Sequence, residues 1–139
     1  MTDRSLNLEA QKMLLEVDRQ LIADPLLWAI YDDHPVRTAP SFDDKSHIFR
    51  AKLEGLGYLM LNMFEVVLFE LSEKRTRENR EGTRVWNQFF HHTVEHSSVV
   101  RSILDRPDSA QLFHSTMVSR YRDWKIKMGG TEDRPHHKS

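Results

Sequence analysis

Two histidines in the second half of the chain have the spacing of metal ligands. His92 and His96 are four residues apart, which brings two imidazoles to one side of a helix. A transition-metal ion would need a third ligand from elsewhere, for which His34, Asp32 and His114 are candidates. On a helical wheel the pair does not converge, because His96 lies at the edge of the apolar face and His92 lies farther out. We therefore predict no bound metal and no cofactor.

Glu70 is an acid within an otherwise apolar arc, close to Leu59 and Met63 on the helical wheel. In one interpretation its side chain reaches solvent at a helix end and pairs with Lys74 one turn on. In the other it is a buried acid inside a pocket. Buried charges are rare, which favours the first interpretation. The second keeps Glu70 as a candidate ligand-binding residue.

Standard catalytic motifs are absent from the sequence. It contains no Gly-x-Ser-x-Gly elbow, P-loop, Gly-x-Gly-x-x-Gly fingerprint or His-Glu-x-x-His motif. The chain has no cysteine, so disulfides, thiolate nucleophiles and Cys-ligated metals are excluded. The net charge is −1, and the basic residues of the segment 73–84 alternate with glutamates, which argues against nucleic-acid binding. These features favour a protein that is not an enzyme.

Tryptophan and methionine residues allow a second, ligand-binding interpretation. Trp28 and Trp86 fall on different predicted helices, and Met63 falls on a predicted core face. Their simplest role is to fill the core. The alternative is an apolar pocket between helices, with Asp33 and His34 at its polar mouth. The candidate ligand-binding residues are Trp28, Asp33, His34, Met63, Glu70, Trp86 and His96.

Apolar residues three and four apart predict the helices that would position these side chains. The predicted helices span residues 5–23, 25–31, 41–73, 86–104 and 108–128. Capping patterns at Asp24, Ser41 and Asp108 start three of them, whereas Pro107 and Gly129 follow two helix ends. No stretch has the sustained alternation of a strand. We predict an all-α fold, an antiparallel bundle of four main helices plus one short helix.

The composition indicates one folded unit, with 139 residues, 39% hydrophobic and 29% charged. We expect a single helical-bundle domain over residues 1–130 and a disordered tail over 131–139, which lacks apolar anchors. The N-terminal residues lack the apolar run of a signal peptide. Asn62, Glu65 and Glu70 interrupt the most apolar stretch, which predicts no membrane span and a cytoplasmic location.

The wide apolar arc of the long predicted helix suggests contact with a second molecule. Leu61 and Leu68 lie away from its central stripe on the helical wheel, which predicts them as the contact pair of a homodimer. We therefore predict a small regulatory or adaptor protein that acts through protein–protein contact. The alternative is a small-molecule-binding bundle, with or without enzymatic activity. An adaptor requires a filled core, whereas a ligand binder requires an enclosed cavity.

Overall fold

The computed structural model describes the backbone of residues 3–70 and 80–137, and the side chains of residues 8–68 and 84–129. Both described ranges consist of helices and connecting turns, without a strand. This confirms the predicted all-α class. The elements are α1 (Asp3–Ala23), a first 3-10 helix (Pro25–Ile30), a second 3-10 helix (Pro35–Thr38), α2 (His47–Phe64), a π-helix (Glu65–Glu70), α3 (Arg80–His96), α4 (Ser98–Leu104), α5 (Ser109–Leu112) and α6 (Ser115–His137).

The first two predicted helices are present. α1 buries Ala10, Val17 and Leu21 on one face, as the spacing of its apolar residues predicts. The short helix that follows is a 3-10 helix with Pro25 in its first turn. Proline fits there because the N–H groups of the first turn have no acceptor within the helix. Its buried residues are Leu27, Ala29 and Ile30. They anchor the start of the loop that carries the candidate site.

The long predicted helix begins later than expected. Ser46 is the N-cap of α2, and its Oγ accepts a hydrogen bond from the Phe49 N–H at 3.3 Å. The predicted start at Ser41 is wrong because the Asp43 carboxylate accepts a hydrogen bond from the Lys45 N–H at 3.0 Å, which closes a local turn. The π-helix continues directly from α2. The rest of the predicted helix, residues 71–73, lies outside the described residues.

α2 and the π-helix form the centre of the core. α1, α4 and the first 3-10 helix all contact α2, so more than one of its faces is covered. Leu61 is 0% exposed and Leu68 is 2% exposed. The prediction that they form a surface contact pair is wrong, because both belong to the core of their own chain. The π-helix also changes the angular register after Glu65, so a wheel drawn at about 100° per residue misplaces Leu68.

The predicted helix over residues 86–104 is two helices. The chain is extended at Ser97, with φ −126° and ψ 104°, and the Ser97 Oγ accepts a hydrogen bond from the Val100 N–H at 3.2 Å. Ser97 therefore ends α3 and caps α4. Ser97 is itself fully buried, whereas Ser98 and Asp32 beside it are exposed, so the break lies at the edge of the core.

The last predicted helix is also interrupted. α5 ends after one turn, and the chain is extended at Phe113, whose ring stacks on Tyr58 with centroids 5.9 Å apart. The Glu65 carboxylate accepts a hydrogen bond from the His114 N–H, which fixes this second break. α6 then continues to His137, past the glycine pair at which we expected it to end. The domain division at residue 130 and the disordered tail stay predictions.

Within the described ranges, no helix combines the length and the apolar character that a membrane crossing requires.

Gly55 and Gly57 of α2 provide a matched test of this packing. A Cβ on Gly57 would lie 2.8 Å from the Ile103 Cδ1 and 3.4 Å from the Val99 Cγ1, whereas a Cβ on Gly55 would meet nothing within 4 Å. We expect Gly55→Ala to raise the free energy of unfolding by about 1 kcal/mol, because alanine favours the helix. The free energy of unfolding of Gly57→Ala should be about 1–3 kcal/mol lower than that of Gly55→Ala, because Ile103 of α4 must shift. Urea denaturation of both variants measures the difference, and equal stabilisation would contradict close packing of α2 on α4.

Candidate functional site

Asp32 joins the loop after the first 3-10 helix to the break between α3 and α4. The Ser98 N–H donates to both oxygens of its carboxylate, at 3.0 and 2.9 Å, and the Ser98 Oγ–H donates at 2.7 Å. The Asp32 N–H donates to the His96 carbonyl at 2.8 Å. The Asp32 side chain thus satisfies the first free N–H of α4, and its backbone satisfies the end of α3.

Two arginines complete this junction. The Arg101 Nη2 lies 3.2 Å from the Asp32 carboxylate, and its Nη1 donates to the carbonyls of Val94 and Glu95 at 2.9 and 2.8 Å. Arg101 therefore caps the C-terminus of α3, where a positive charge is favourable. The Arg37 Nη2 lies 3.7 Å from the same carboxylate. Arg37 also donates to the carbonyls of Ala29 and Tyr31, and its guanidinium lies over the Phe42 ring.

A continuous row of five rings lies beside this junction. Trp28 stacks on His34, with ring centroids 5.6 Å apart, and on Tyr31 at 6.3 Å. Tyr31 contacts His92 at 5.7 Å, and His92 contacts His96 at 4.5 Å. The ring row, as we call these five side chains, connects the loop to α3. Within this row Trp28 is 39% exposed.

Hydrogen bonds and burial hold parts of the ring row in place. The His34 Nδ1 accepts a hydrogen bond from the Val36 N–H at 3.0 Å, which orients the ring that stacks on Trp28. The His96 Nδ1 lies 3.8 Å from the Asp33 carboxylate. Burial raises the pKa of the Tyr31 phenol, so this hydroxyl stays protonated at neutral pH. The row therefore combines a partly exposed indole with fixed polar edges.

Four of the seven predicted ligand-binding residues come together here. Trp28, His34 and His96 are members of the ring row, and Asp33 contacts one end of it. The other predicted residues do not join them. Met63 is fully buried in the core, and Trp86 packs on Phe64 with centroids 6.3 Å apart. The side chain of Glu70 lies outside the described residues.

Sequence reasoning missed the organising role of Asp32 and Arg101. The sequence indicates Asp32 only as a candidate metal ligand. A signal for the break was present, because Ser97-Ser98 follows His96 and serine is a preferred helix N-cap. The partner that fixes the break is 66 residues away in sequence, so no local pattern indicates it.

A groove of about 490 Å³ begins at the same junction. Arg37 and Ser98 line it, which links it directly to the Asp32 contacts. Its apolar lining residues are Phe42, Phe49, Leu53, Val99 and Ile103. Its other charged lining residues are Asp44, Lys45, Arg50 and Glu54. The groove is therefore lined by aromatic and aliphatic side chains together with charged side chains of both signs.

The titratable side chains of this region do not form a metal site. Within the described residues, no group of three or more His, Asp or Glu side chains is placed to hold a metal ion. The His91 ring lies against Phe90, with centroids 5.6 Å apart, and burial together with the Arg120 charge lowers the pKa of His91. His92 and His96 supply two imidazoles, and the Asp33 carboxylate lies 3.8 Å from the His96 Nδ1. Among protein-family models, curated proteins and solved structures, no match to the chain was found.

Asp32 and Asp33 are neighbouring carboxylates, but only Asp32 accepts hydrogen bonds from Ser98, so replacing each in turn tests the junction. Asp32→Ala should lower the free energy of unfolding by about 1–2 kcal/mol, because the N-terminus of α4 loses its acceptor. Asp33→Ala should change it by less than about 0.5 kcal/mol, because this exposed carboxylate has only a long contact with His96. Denaturant unfolding with tryptophan fluorescence measures both variants. Equal losses for the two would show that the Asp32 hydrogen bonds add nothing to stability.

The histidine geometry predicts that the protein carries no transition metal. Two imidazoles without a third ligand bind such ions weakly, so protein purified without an affinity tag should contain zinc, iron and nickel only far below one ion per chain. Elemental analysis by mass spectrometry measures this content. A stoichiometric ion that is lost in the His92→Ala/His96→Ala variant would overturn the prediction.

Proposed function

We propose that this protein is a small regulatory or adaptor protein that acts through protein–protein contact. The observation that carries the proposal is the ring row, because it offers a partly exposed tryptophan on a fixed support. Tryptophan, tyrosine and arginine are the residues that most often dominate the binding energy of protein interfaces. Trp28, Tyr31 and Arg37 occur together at this junction.

The support of Trp28 matters as much as its exposure. His34 and Tyr31 stack on it, so the indole loses little conformational freedom when a partner covers it. Side chains ordered before binding improve affinity in this way. The adjoining groove adds an apolar floor with a charged rim, which is the usual anatomy of an interface.

The small-molecule interpretation has less support. It requires an enclosed cavity lined by the predicted pocket residues. Met63 is fully buried in the core, and Trp86 packs on Phe64 and Phe89. The groove at the junction is open to solvent and has many charged residues around it. We therefore propose no enzymatic activity and no resident ligand.

Three further predictions are part of the proposal. We propose that the main helices form an antiparallel bundle within one domain over residues 1–130. We also propose that the protein acts in the cytoplasm. Finally, we keep the homodimer as a proposal, although its contact must lie on a surface other than Leu61 and Leu68, since both are buried.

Trp28→Ala tests the partner-binding proposal. Affinity capture from the source cells, with quantitative mass spectrometry, should identify a protein that wild type enriches and the variant does not. With purified partner, the variant should bind about thirtyfold more weakly, the effect of losing a hot-spot residue worth about 2 kcal/mol. The matched control is Ile126→Ala, which removes a side chain that is 73% exposed on α6 and should bind as wild type does.

Two results would count against this proposal. One is equal binding of the partner by the Trp28→Ala variant and the wild type, with the helical circular dichroism of both unchanged. The other is native mass spectrometry of untagged protein that finds a small molecule bound to every chain, which would favour the ligand-binding interpretation.

A further inference from the structure

The outer face of α1 carries three exposed apolar side chains in one line. Leu8 is 52% exposed, Leu15 is 67% exposed and Ile22 is 80% exposed. They are seven residues apart, so they lie above one another, about 20° out of line per step, along nearly four turns of helix. The buried face of α1, with Val17 and Leu21, points away from this line.

This arrangement differs from the scattered apolar residues found on most protein surfaces. Single exposed leucines need no explanation, but a repeat of seven residues is the spacing at which one helix meets another. We call Leu8, Leu15 and Ile22 the α1 stripe. It uses only one of the two apolar positions of a heptad, which indicates a short and weak helix pair rather than a long coiled coil.

The residues on either side of the α1 stripe differ in charge. At about 100° per residue, Gln11 and Asp18 lie on one side, and Lys12 and Arg19 lie on the other. All four are exposed. Arg19 also pairs with Glu16 on its own helix at 2.6 Å, but this ion pair is exposed and contributes little. One side of the stripe is therefore acidic or polar, and the other is basic.

These charges distinguish the two ways in which α1 can meet the same face of a second copy. In an antiparallel pair, each side of the α1 stripe meets the same side on the second copy. Lys12 then lies next to Arg19 of the second copy, and the two positive charges repel each other. In a parallel pair each side meets the opposite side. Arg19 then faces the partner's Asp18, and the two-fold axis makes this contact twice.

We propose that the α1 stripe is the interface of a parallel homodimer, in which Leu8, Leu15 and Ile22 each contact their own copy. The proposal rests on the homodimer part of the proposed function and gives it a surface. The contact covers one face of one helix, so its area is at the lower limit of specific interfaces. The dimer should therefore dissociate on dilution and weaken at high salt.

Ile22→Glu and Ile48→Glu form a matched pair of variants. Both replace an isoleucine on a helix surface, 80% and 74% exposed, but only Ile22 belongs to the α1 stripe. In sedimentation equilibrium from about 1 μM to about 1 mM protein, the wild type and Ile48→Glu should form dimers. Ile22→Glu should keep the monomer mass of 16.5 kDa throughout. A wild type that stays monomeric over the same range would overturn the proposal.

Single cysteine substitutions test the orientation, because the chain has no cysteine of its own. Leu8 and Ile22 are fourteen residues apart, about 21 Å along the helix, whereas a disulfide needs Cα atoms within about 7 Å. Under mild oxidation, Leu8→Cys and Ile22→Cys should each form a covalent dimer, and Ile48→Cys should not. Cross-linking of Leu15→Cys alone would show an antiparallel pair and overturn the proposed orientation.

The outcomes separate this proposal from the proposed function. A dimer that survives Ile22→Glu and does not cross-link through the α1 stripe would overturn the inference and leave the homodimer in place on another surface. Partner binding is measured separately with Trp28→Ala, a variant that leaves Leu8, Leu15 and Ile22 unchanged.

Discussion

The carboxylate of Asp32 is the interaction on which the rest of the candidate site depends. Breaking a helix leaves carbonyls at one end and N–H groups at the other without partners within the helix. Asp32 accepts the N–H of Ser98 at the start of α4, and Arg101 donates to the carbonyls at the end of α3. Since Asp32 and Arg101 also contact each other, both ends of the break are satisfied by one ion pair.

The same ion pair determines where the rings lie. Asp32 follows Tyr31 directly, so its contacts with Ser98 bring the Tyr31 ring against His92 of α3. Trp28 stacks on Tyr31, and His34 in turn stacks on Trp28. The position of the ring row is thus a consequence of how the break between α3 and α4 is closed.

The sequence allowed prediction of those features that depend on neighbouring residues. The spacing of apolar residues placed α1 and the first 3-10 helix correctly, and it brought Trp28, His34 and His96 into one list of candidates. The spacing of apolar residues does not indicate the helix breaks at Ser97 and Phe113. Ser97 is a local N-cap signal for the first break, but Asp32 and Glu65, which fix the two breaks, are far away in the chain. The wheel also misjudged Leu61 and Leu68, since it assumed regular α-helical turns and one buried face.

The central claim is that Asp32 holds the loop and the helix break together as one unit. Amide hydrogen exchange by nuclear magnetic resonance tests it most directly, by comparing wild type with Asp32→Ala. The account predicts faster exchange at Ser98 and, together with it, at residues 31–36, whereas the amides of α1 and the centre of α2 keep their protection. Faster exchange at Ser98 alone, with residues 31–36 unchanged, would show that the loop and its rings are held independently of Asp32 and would contradict the account.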